Sequence, residues 1–207
     1  QDKYLHYLDS IRDEIRMSCH QQAERLKQNI LSSEECLTRV YPLDSSLWER
    51  ILGQDDFLQL RLGVGDQTML GEIHYPEKRF TLDDDYLQNA LFSLKNEPQT
   101  LKDVPIAFNF KENQITGLVG LRSQLFQYIY SLLIQTTIYH SYDELKLVLF
   151  VDEEEAKDWQ FAKWLPHQWT NDKTFRYYAE NAEELKELSA RLETELSDRF
   201  ESKDEKA

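Results

Sequence analysis

The residues best suited to chemistry lie within positions 114–124, where Gly117 and Gly120 stand three residues apart. A β-branched run precedes these glycines and a long apolar stretch follows them, which is the strand, loop and helix context of a phosphate-binding loop. Such a loop reads Gly-x-x-x-x-Gly-Lys-Ser/Thr, because backbone amides close on the phosphate, the lysine meets its charge and the hydroxyl holds magnesium. When Gly117 takes the first position, the last three positions are filled by Arg122, Ser123 and Gln124.

These last three residues do not suit phosphate chemistry. Arg122 places a side chain where the second glycine lets backbone amides approach, Ser123 brings no positive charge, and Gln124 has no hydroxyl for magnesium. We therefore expect no catalytic residue here and weak or absent nucleotide binding. The alternative is a weak ATP and magnesium site in which the Arg122 guanidinium replaces the lysine, since a guanidinium pairs with phosphate through two parallel hydrogen bonds.

Asp152 is the other candidate, because it closes the apolar stretch Leu145 to Val151 as a magnesium-binding acid would. Ligands of an open parallel sheet bind beyond the carboxyl ends of its strands, so Asp152 and the glycine loop would face one crevice. An acidic run such as Glu153 to Glu155 also suits the N-terminus of a helix. We interpret Asp152 as a helix cap and keep it as a candidate acid of the crevice.

The sequence gives little support for a metal site, a disulfide or a nucleic-acid interface. The five histidines show no zinc-ligand spacing, and Asp83 to Asp85 are interpreted as caps of the helix around Leu87 to Leu94, so no metal site is predicted. Cys19 and Cys36 are expected to be reduced thiols, which favours the cytosol. The net charge of −14 opposes nucleic-acid binding, whose affinity comes mainly from Lys and Arg on phosphates.

Strand and helix patterns alternate from Val104 onward. Strands are predicted at Ile106 to Phe110, Ile115 to Val119, Leu145 to Val151 and Thr174 to Tyr178, and helices at Leu125 to Tyr139, Glu153 to Trp164 and Ala182 to Phe200. Alternation of this kind indicates an α/β fold with a mostly parallel sheet and flanking helices. With the damaged loop, it predicts a degenerate fold of the P-loop NTPase or Rossmann type.

The first half of the chain has a different pattern. Asp2 to Ser33 reads as one long amphipathic helix, lying either along its own domain or as a stalk below a preceding membrane segment. Asp56 to Gly63 and Met69 to Tyr75 are predicted to form a hairpin, and Trp48 is interpreted as a packing residue. The predicted domains are a stalk helix and linker at 1–41, a small β/α extension at 42–98, and an α/β domain at 99–207 whose C-terminal part is truncated.

Four blocks of sequence together resemble one family. They are Leu47-Trp48-Glu49-Arg50, the stretch from Asp56 to Gly65, Gly117-Leu118-Val119-Gly120, and the stretch from Trp159 to His167. In this order they resemble the membrane-anchored FtsK/SpoIIIE-type ATPases of type VII secretion systems, the EssC/EccC family, over about Leu47 to Phe200.

The resemblance implies a place between the membrane helices and the first ATPase module of such a protein, at the cytoplasmic face of the bacterial membrane. It favours the stalk interpretation of Asp2 to Ser33, with membrane contact only through an absent upstream segment. It also implies a hexameric parent that exports small helical WxG-type proteins, and it implies other subunits of the secretion complex and adjacent ATPase modules as partners.

We expect a non-catalytic coupling or assembly domain with no bound cofactor. A weak ATPase domain is the alternative, and a DNA translocase domain is disfavoured by the net charge.

Overall fold

The computed structural model of the chain describes residues 2–71, 73–77, 86–97 and 99–204. They form two compact units, each built from two stretches of chain. The first unit combines Gln1–Cys36 with Gln59–Gln135, and the second combines Leu37–Leu58 with Thr136–Ala207. The predicted boundaries at 41 and 98 stay a prediction.

Six α-helices and four strands occur in the described residues, together with three short 3-10 helices. The α-helices are α1 (Asp2–Asn29), α2 (Ser33–Val40), α3 (Tyr86–Lys95), α4 (Arg122–Tyr139), α5 (Ala156–Trp159) and α6 (Ala182–Asp204). The strands are β1 (Gln59–Thr68), β2 (Thr100–Asn109), β3 (Leu149–Phe150) and β4 (Tyr178–Ala179), and the 3-10 helices are Glu153–Glu155, Gln160–Trp164 and Pro166–Gln168. No helix in the described ranges is long and apolar enough to cross a membrane.

The first unit is built on an antiparallel pair of long strands. β1 and β2 pair from Gln59 opposite Asn109 to Thr68 opposite Thr100, with two irregularities in register. Helix α1 packs on β2 and α3. The core between α1 and β2 contains Ala23, Leu101 and Val104, with Cys19, Leu26 and Met69 around it. Helix α1 thus lies along its own unit, which is the first of its two interpretations, and a continuation toward a membrane stays a prediction.

The predicted hairpin is wrong in its second strand. β1 pairs with β2, which begins at Thr100, and the described residues of Met69 to Tyr75 form no strand. Gly71 has a φ of +119°, which interrupts an extended chain. Leu101 and Val104, at 1% and 0% exposure, explain the choice of partner, because pairing with β2 brings these two side chains under α1.

The second unit contains a short parallel pair. Leu149 lies opposite Tyr178 and Phe150 opposite Ala179. After β3, the Val151 N–H donates to the Ala179 carbonyl at 2.9 Å. Before β3, the Leu147 N–H donates to the His167 carbonyl at 2.9 Å, outside β4. Helix α6 packs against β4. Its Leu188 joins Tyr177 and Ala179 in a buried cluster that Val148, Phe175 and Leu192 surround.

The structure corrects the sheet prediction in part. The fold is α/β with a long N-terminal helix, but the longer sheet is antiparallel and the parallel pairing covers two residues. Ile115 to Val119, predicted as a strand, is irregular, and Ile115 and Val119 are about fully exposed, at 98% and 101%. A strand needs a hydrogen-bonded neighbour, and none of the described strands pairs with this segment.

The helix predictions fare better. Helices α3, α4 and α6 lie within a few residues of their predicted positions, whereas the helix predicted for Glu153 to Trp164 is divided into two 3-10 helices and α5. The interpretation of Asp83 to Asp85 as helix caps concerns positions outside the described residues.

Candidate functional site

The glycine loop is an exposed, irregular segment. Every residue from 111 to 124 is exposed to solvent. Neither Gly117 nor Gly120 has a positive φ, so neither position requires glycine for its backbone conformation. A Cβ added to Gly117 would meet no atom within 4 Å, and one added to Gly120 would touch only the Leu125 side chain at 3.5 Å. The loop therefore has neither of the two properties, a tight turn or a close approach, for which phosphate loops use glycine.

The three unsuitable loop residues form the start of α4. Helix α4 begins at Arg122, and the Leu121 carbonyl accepts hydrogen bonds from the Gln124 and Leu125 N–H groups at 3.0 and 2.9 Å. Arg122, Ser123 and Gln124 are all exposed. A cation in the first turn opposes the helix dipole, although the N-terminus of a helix is also where an anion binds.

Asp152 acts as a cap, as predicted. Its Oδ1 accepts a hydrogen bond from the Glu154 N–H at 3.1 Å, and it precedes the 3-10 helix Glu153–Glu155. Asp152 belongs to the second unit and the glycine loop to the first. The crevice that they were expected to share stays a prediction. Among the described residues, no group of three or more His, Cys, Asp or Glu side chains could hold a metal ion.

A second polar arrangement lies at the C-terminus of α4. The last four carbonyls of a helix lack partners within it. Here the Trp48 N–H donates to the Ile138 carbonyl at 2.8 Å, the Trp48 Nε1–H to the Thr137 carbonyl at 3.1 Å, and the Arg50 N–H to the Tyr139 carbonyl at 3.0 Å. The fourth carbonyl, that of Thr136, accepts a hydrogen bond from the His140 N–H at 3.2 Å. Residues 48–50 therefore cap the helix, and we call this arrangement the α4 cap.

Two side chains hold the α4 cap in place. The Trp48 ring makes an edge contact with Tyr142 at 5.4 Å between centroids, and Trp48 has a φ of +60°, which a bulky residue rarely adopts. The guanidinium of Arg50 lies 3.6 Å above the centroid of Tyr139, and its Nε is 3.5 Å from Asp56 Oδ2. Trp48 is thus a packing residue, as predicted, although 42% of it is exposed.

His140 completes the cap and is held neutral. The Leu58 N–H donates to His140 Nε2 at 2.9 Å, so the ring proton is on Nδ1, which donates to the Thr136 carbonyl at 3.0 Å. Phe57 packs edge-on against the same ring at 4.8 Å. Burial lowers the pKa of His140, and the positive charge of Arg50 lowers it further.

His167 extends this buried polar path. Its Nε2–H donates to the His140 carbonyl at 2.8 Å, and burial lowers the pKa of His167 as well. His140 and His167 are 0% and 1% exposed. Three of the four resemblance blocks, those beginning at Leu47, Asp56 and Trp159, therefore meet around the end of α4. Their role here is packing and capping.

Acid is expected to weaken the second unit through these two histidines. Their pKa is depressed in the folded state, so their contribution is complete above the ordinary histidine pKa of 6.5 and is lost as the pH falls below it. The expected slope is at most about 1.4 kcal/mol per pH unit for each histidine.

Urea unfolding at pH 7.5 and 5.5 measures this effect. His140→Asn, which can still accept from Leu58 and donate to Thr136, should lose part of the pH dependence, whereas His20→Asn on the exposed side of α1 should keep it. Equal pH dependence in wild type and His140→Asn would contradict the assignment.

The sequence alone did not reveal the α4 cap. The one available signal was the aromatic and arginine pair, Trp48 and Arg50, two residues apart as in an extended chain. The helix carbonyls that these two residues cap lie about ninety positions later in the chain, so no local pattern connects them.

Comparison with known proteins identifies relatives of this chain. No protein-family model matches it. The ESX secretion system protein EccC of Geobacillus thermodenitrificans is 31% identical over 171 residues, which cover 79% of this chain and 11% of that protein. YukB of Bacillus subtilis, also an ESX secretion system protein, is 30% identical over 164 residues, with the same coverage. The type VII secretion system protein EssC of Staphylococcus aureus is 22% identical over 199 residues, which cover 96% of this chain and 13% of that protein.

The resemblance inferred from the sequence blocks is thereby confirmed. The aligned relatives share a secretion-system name, and the chain spans only 11–13% of their length. This chain is therefore a homologue of the EccC, YukB and EssC proteins of ESX and type VII secretion systems.

Proposed function

We propose that the chain is a non-catalytic coupling and assembly domain of a type VII secretion motor. The observation that carries this proposal is the glycine loop, which is open and exposed and leads into a helix that starts with Arg122. Nucleotide hydrolysis depends on a lysine, a hydroxyl and converging backbone amides around the phosphates. The loop has Ser123 where the motif has its lysine and Gln124 where it has its hydroxyl residue. Three resemblance blocks, by contrast, cap α4 and pack around its end.

The proposal includes the setting of the parent protein. Its relatives are secretion-system proteins, which supports a place at the cytoplasmic face of the bacterial membrane, beside other subunits of the complex and the ATPase modules of the same polypeptide. A hexameric parent that exports WxG-type proteins, a stalk formed by α1, the division at 41 and 98, and a degenerate P-loop ancestry of the fold all belong to the same proposal.

A second candidate is a weak ATP-binding domain. Its support is the position of Arg122 in the first turn of an eighteen-residue helix, where backbone N–H groups and a guanidinium both favour a phosphate. A DNA translocase domain has less support, because the net charge of −14 repels a nucleic-acid backbone.

Calorimetry with ATP and magnesium separates the two candidates. We expect no binding heat up to millimolar ATP for the wild-type chain, because phosphate would have to be held without the lysine and the magnesium hydroxyl. Arg122→Ala and Arg16→Ala form a matched pair of variants, since Arg16 is an exposed helical arginine at a distant position.

Two outcomes decide the question. Micromolar ATP binding that Arg122→Ala abolishes and Arg16→Ala preserves would overturn the non-catalytic proposal. If the wild type shows no heat, Arg122→Ala introduced into the full-length secretion protein should leave export unchanged, and a loss of export would contradict the view that this loop does no nucleotide chemistry.

A further inference from the structure

The second unit contains a cleft of about 630 Å³ beside helix α6. It lies between the stretch from Asp143 to Val148, the turn from Thr170 to Asp172, and one side of α6 from Arg191 to Arg199. The cleft is remote in the chain from the glycine loop and takes no part in the proposed function above. Its walls combine apolar side chains with groups of both charges.

The side chain of Lys146 lines this cleft. The Nζ atom of Lys146 is buried and has no acceptor among the described residues. The ring centroid of Tyr142 is 5.7 Å from this Nζ atom. An ammonium group carries three donors, and burying it without acceptors is costly. Burial accordingly lowers the pKa of Lys146. The negative charges of Asp143 and Glu195 act in the opposite direction but do not outweigh burial.

The acids of the cleft are already engaged with other donors. Glu195 accepts hydrogen bonds from the Tyr177 hydroxyl at 2.7 and 2.9 Å and from Arg191 Nε at 2.9 Å. Asp172 accepts from the Thr174 N–H at 3.2 Å and from Thr170 Oγ1, and these hydrogen bonds lower its pKa to about 2.

A third acid is also occupied, because Glu144 accepts from the Leu52 N–H at 3.2 Å. Three of the four acids that line the cleft therefore hold protein donors instead of Lys146. The fourth acid, Asp143, is near enough for its charge to favour the charged form of Lys146 but accepts no hydrogen bond from Nζ, so the described residues supply Lys146 with no acceptor.

The surroundings of Lys146 define what would fit. Arg191 is about half exposed, at 49%, and together with Arg199 lines the same cleft. Apolar walls are formed by Val148, Leu192 and Leu196. A group with acceptor oxygens gives Lys146 an acceptor, and an apolar body covers these walls.

We propose that this cleft binds a small molecule that carries a carboxylate or phosphate on an apolar group, with its oxyanion on Lys146 and its apolar part against Val148, Leu192 and Leu196. Lysine has a flexible four-carbon stem, so a small rotation brings its ammonium to the ligand. Arg191 and Arg199 lie at the same cleft and add positive charge around the bound oxyanion.

Thermal unfolding of the full chain with two probes tests the proposal. Hexanoate and hexyl phosphate represent the carboxylate and phosphate sources, and ionic strength is kept constant with sodium chloride. A probe present at ten times its Kd should raise the Tm by about 3 to 6 °C. Hexanoate should bind at least roughly tenfold more tightly than acetate, because its chain removes additional apolar surface from water. Whichever probe gives the larger shift identifies the preferred oxyanion.

Matched variants show whether Lys146 carries the binding. Lys146→Met keeps the length of the side chain and removes its charge, and it should lose the Tm shift. Lys157→Met, at an exposed lysine of the same unit, should keep it. An equal shift in Lys146→Met, an equal shift with neutral hexanol, or no shift with either probe would overturn the proposal.

A second measurement avoids dependence on the variant. In the wild-type chain labelled at lysine, the NMR signal of Lys146 Cε should move during a hexanoate or hexyl phosphate titration, and the Lys157 signal should not. Uniform movement of all lysine signals would contradict a specific site. Because ATP calorimetry depends on Arg122 and this titration on Lys146, failure of one proposal does not imply failure of the other.

Discussion

Leu188→Asp is expected to unfold the unit formed by residues 37–58 and 136–207. Leu188 is 0% exposed and packs in the cluster with Tyr177 and Ala179. Placing a carboxylate there without a partner removes apolar packing and buries a charge, at a cost of about 4 kcal/mol or more. Whole domains are stable by only about 5–15 kcal/mol, so the folded unit should be largely lost.

Tryptophan fluorescence in a urea titration measures this loss selectively. All four tryptophans, Trp48, Trp159, Trp164 and Trp169, belong to the second unit. Leu185→Asp is the matched control, because Leu185 is 45% exposed one turn earlier on α6 and should change stability by about 0.5 kcal/mol or less. A native spectrum and an unchanged midpoint for Leu188→Asp would show that α6 does not complete this core.

Arg50→Ala is expected to destabilise the same unit by about 2–4 kcal/mol. The Arg50 side chain is only 3% exposed, and its guanidinium stacks on Tyr139 at 3.6 Å. The variant loses the cation–π contact, the packing of the side-chain methylenes and the ion pair with Asp56. The backbone hydrogen bond from the Arg50 N–H to the Tyr139 carbonyl remains available, so the α4 cap should loosen without disappearing.

Two further variants separate these contributions in the same urea experiment. Arg50→Lys keeps the charge but loses the planar group that stacks on Tyr139, so it should recover only part of the stability. Asp56→Asn tests the ion pair, and because Asp56 is 48% exposed the expected cost is below about 1 kcal/mol. If Asp56→Asn proved as costly as Arg50→Ala, the ion pair rather than the stacked ring would be the main contribution.

The α4 cap changes the meaning of the sequence blocks. The blocks around Trp48 and His167 were singled out as family features, and in the structure they satisfy carbonyls and fill space at the end of α4. Since the carbonyls of Thr137, Ile138 and Tyr139 would otherwise lack partners, these contacts have a sufficient physical explanation without catalysis. The exposed glycine loop at the other end of the same helix agrees with this view.

The prediction of the helices succeeded because their signal is local. Helices α3, α4 and α6 have apolar residues at helical spacing, which is a property of a single stretch of chain. The cap at Asp152 is equally local, because the acid and the amide it binds are two residues apart. The defect at Arg122 could also be read directly, since it concerns the type of residue at a fixed position in a motif.

The prediction of strand partners failed where the pairing was long-range. β1 was assigned to a neighbour about ten residues away and instead pairs with β2, because β2 supplies the apolar face that α1 covers. Ile115 to Val119 has the composition of a strand, but a strand also requires a second strand for its hydrogen bonds. Composition alone does not reveal whether that partner is present.

By itself the sequence determined the helices, the defect in the glycine loop and, through its blocks, the relationship to type VII secretion proteins. Only the tertiary structure decided which strands pair, that Trp48 and Arg50 cap α4, and that Lys146 Nζ is buried with no acceptor in the described part of the chain. The physical reason is one of range. Helix periodicity and motif chemistry act between residues a few positions apart, whereas pairing, capping and burial join residues that the chain separates by tens of positions.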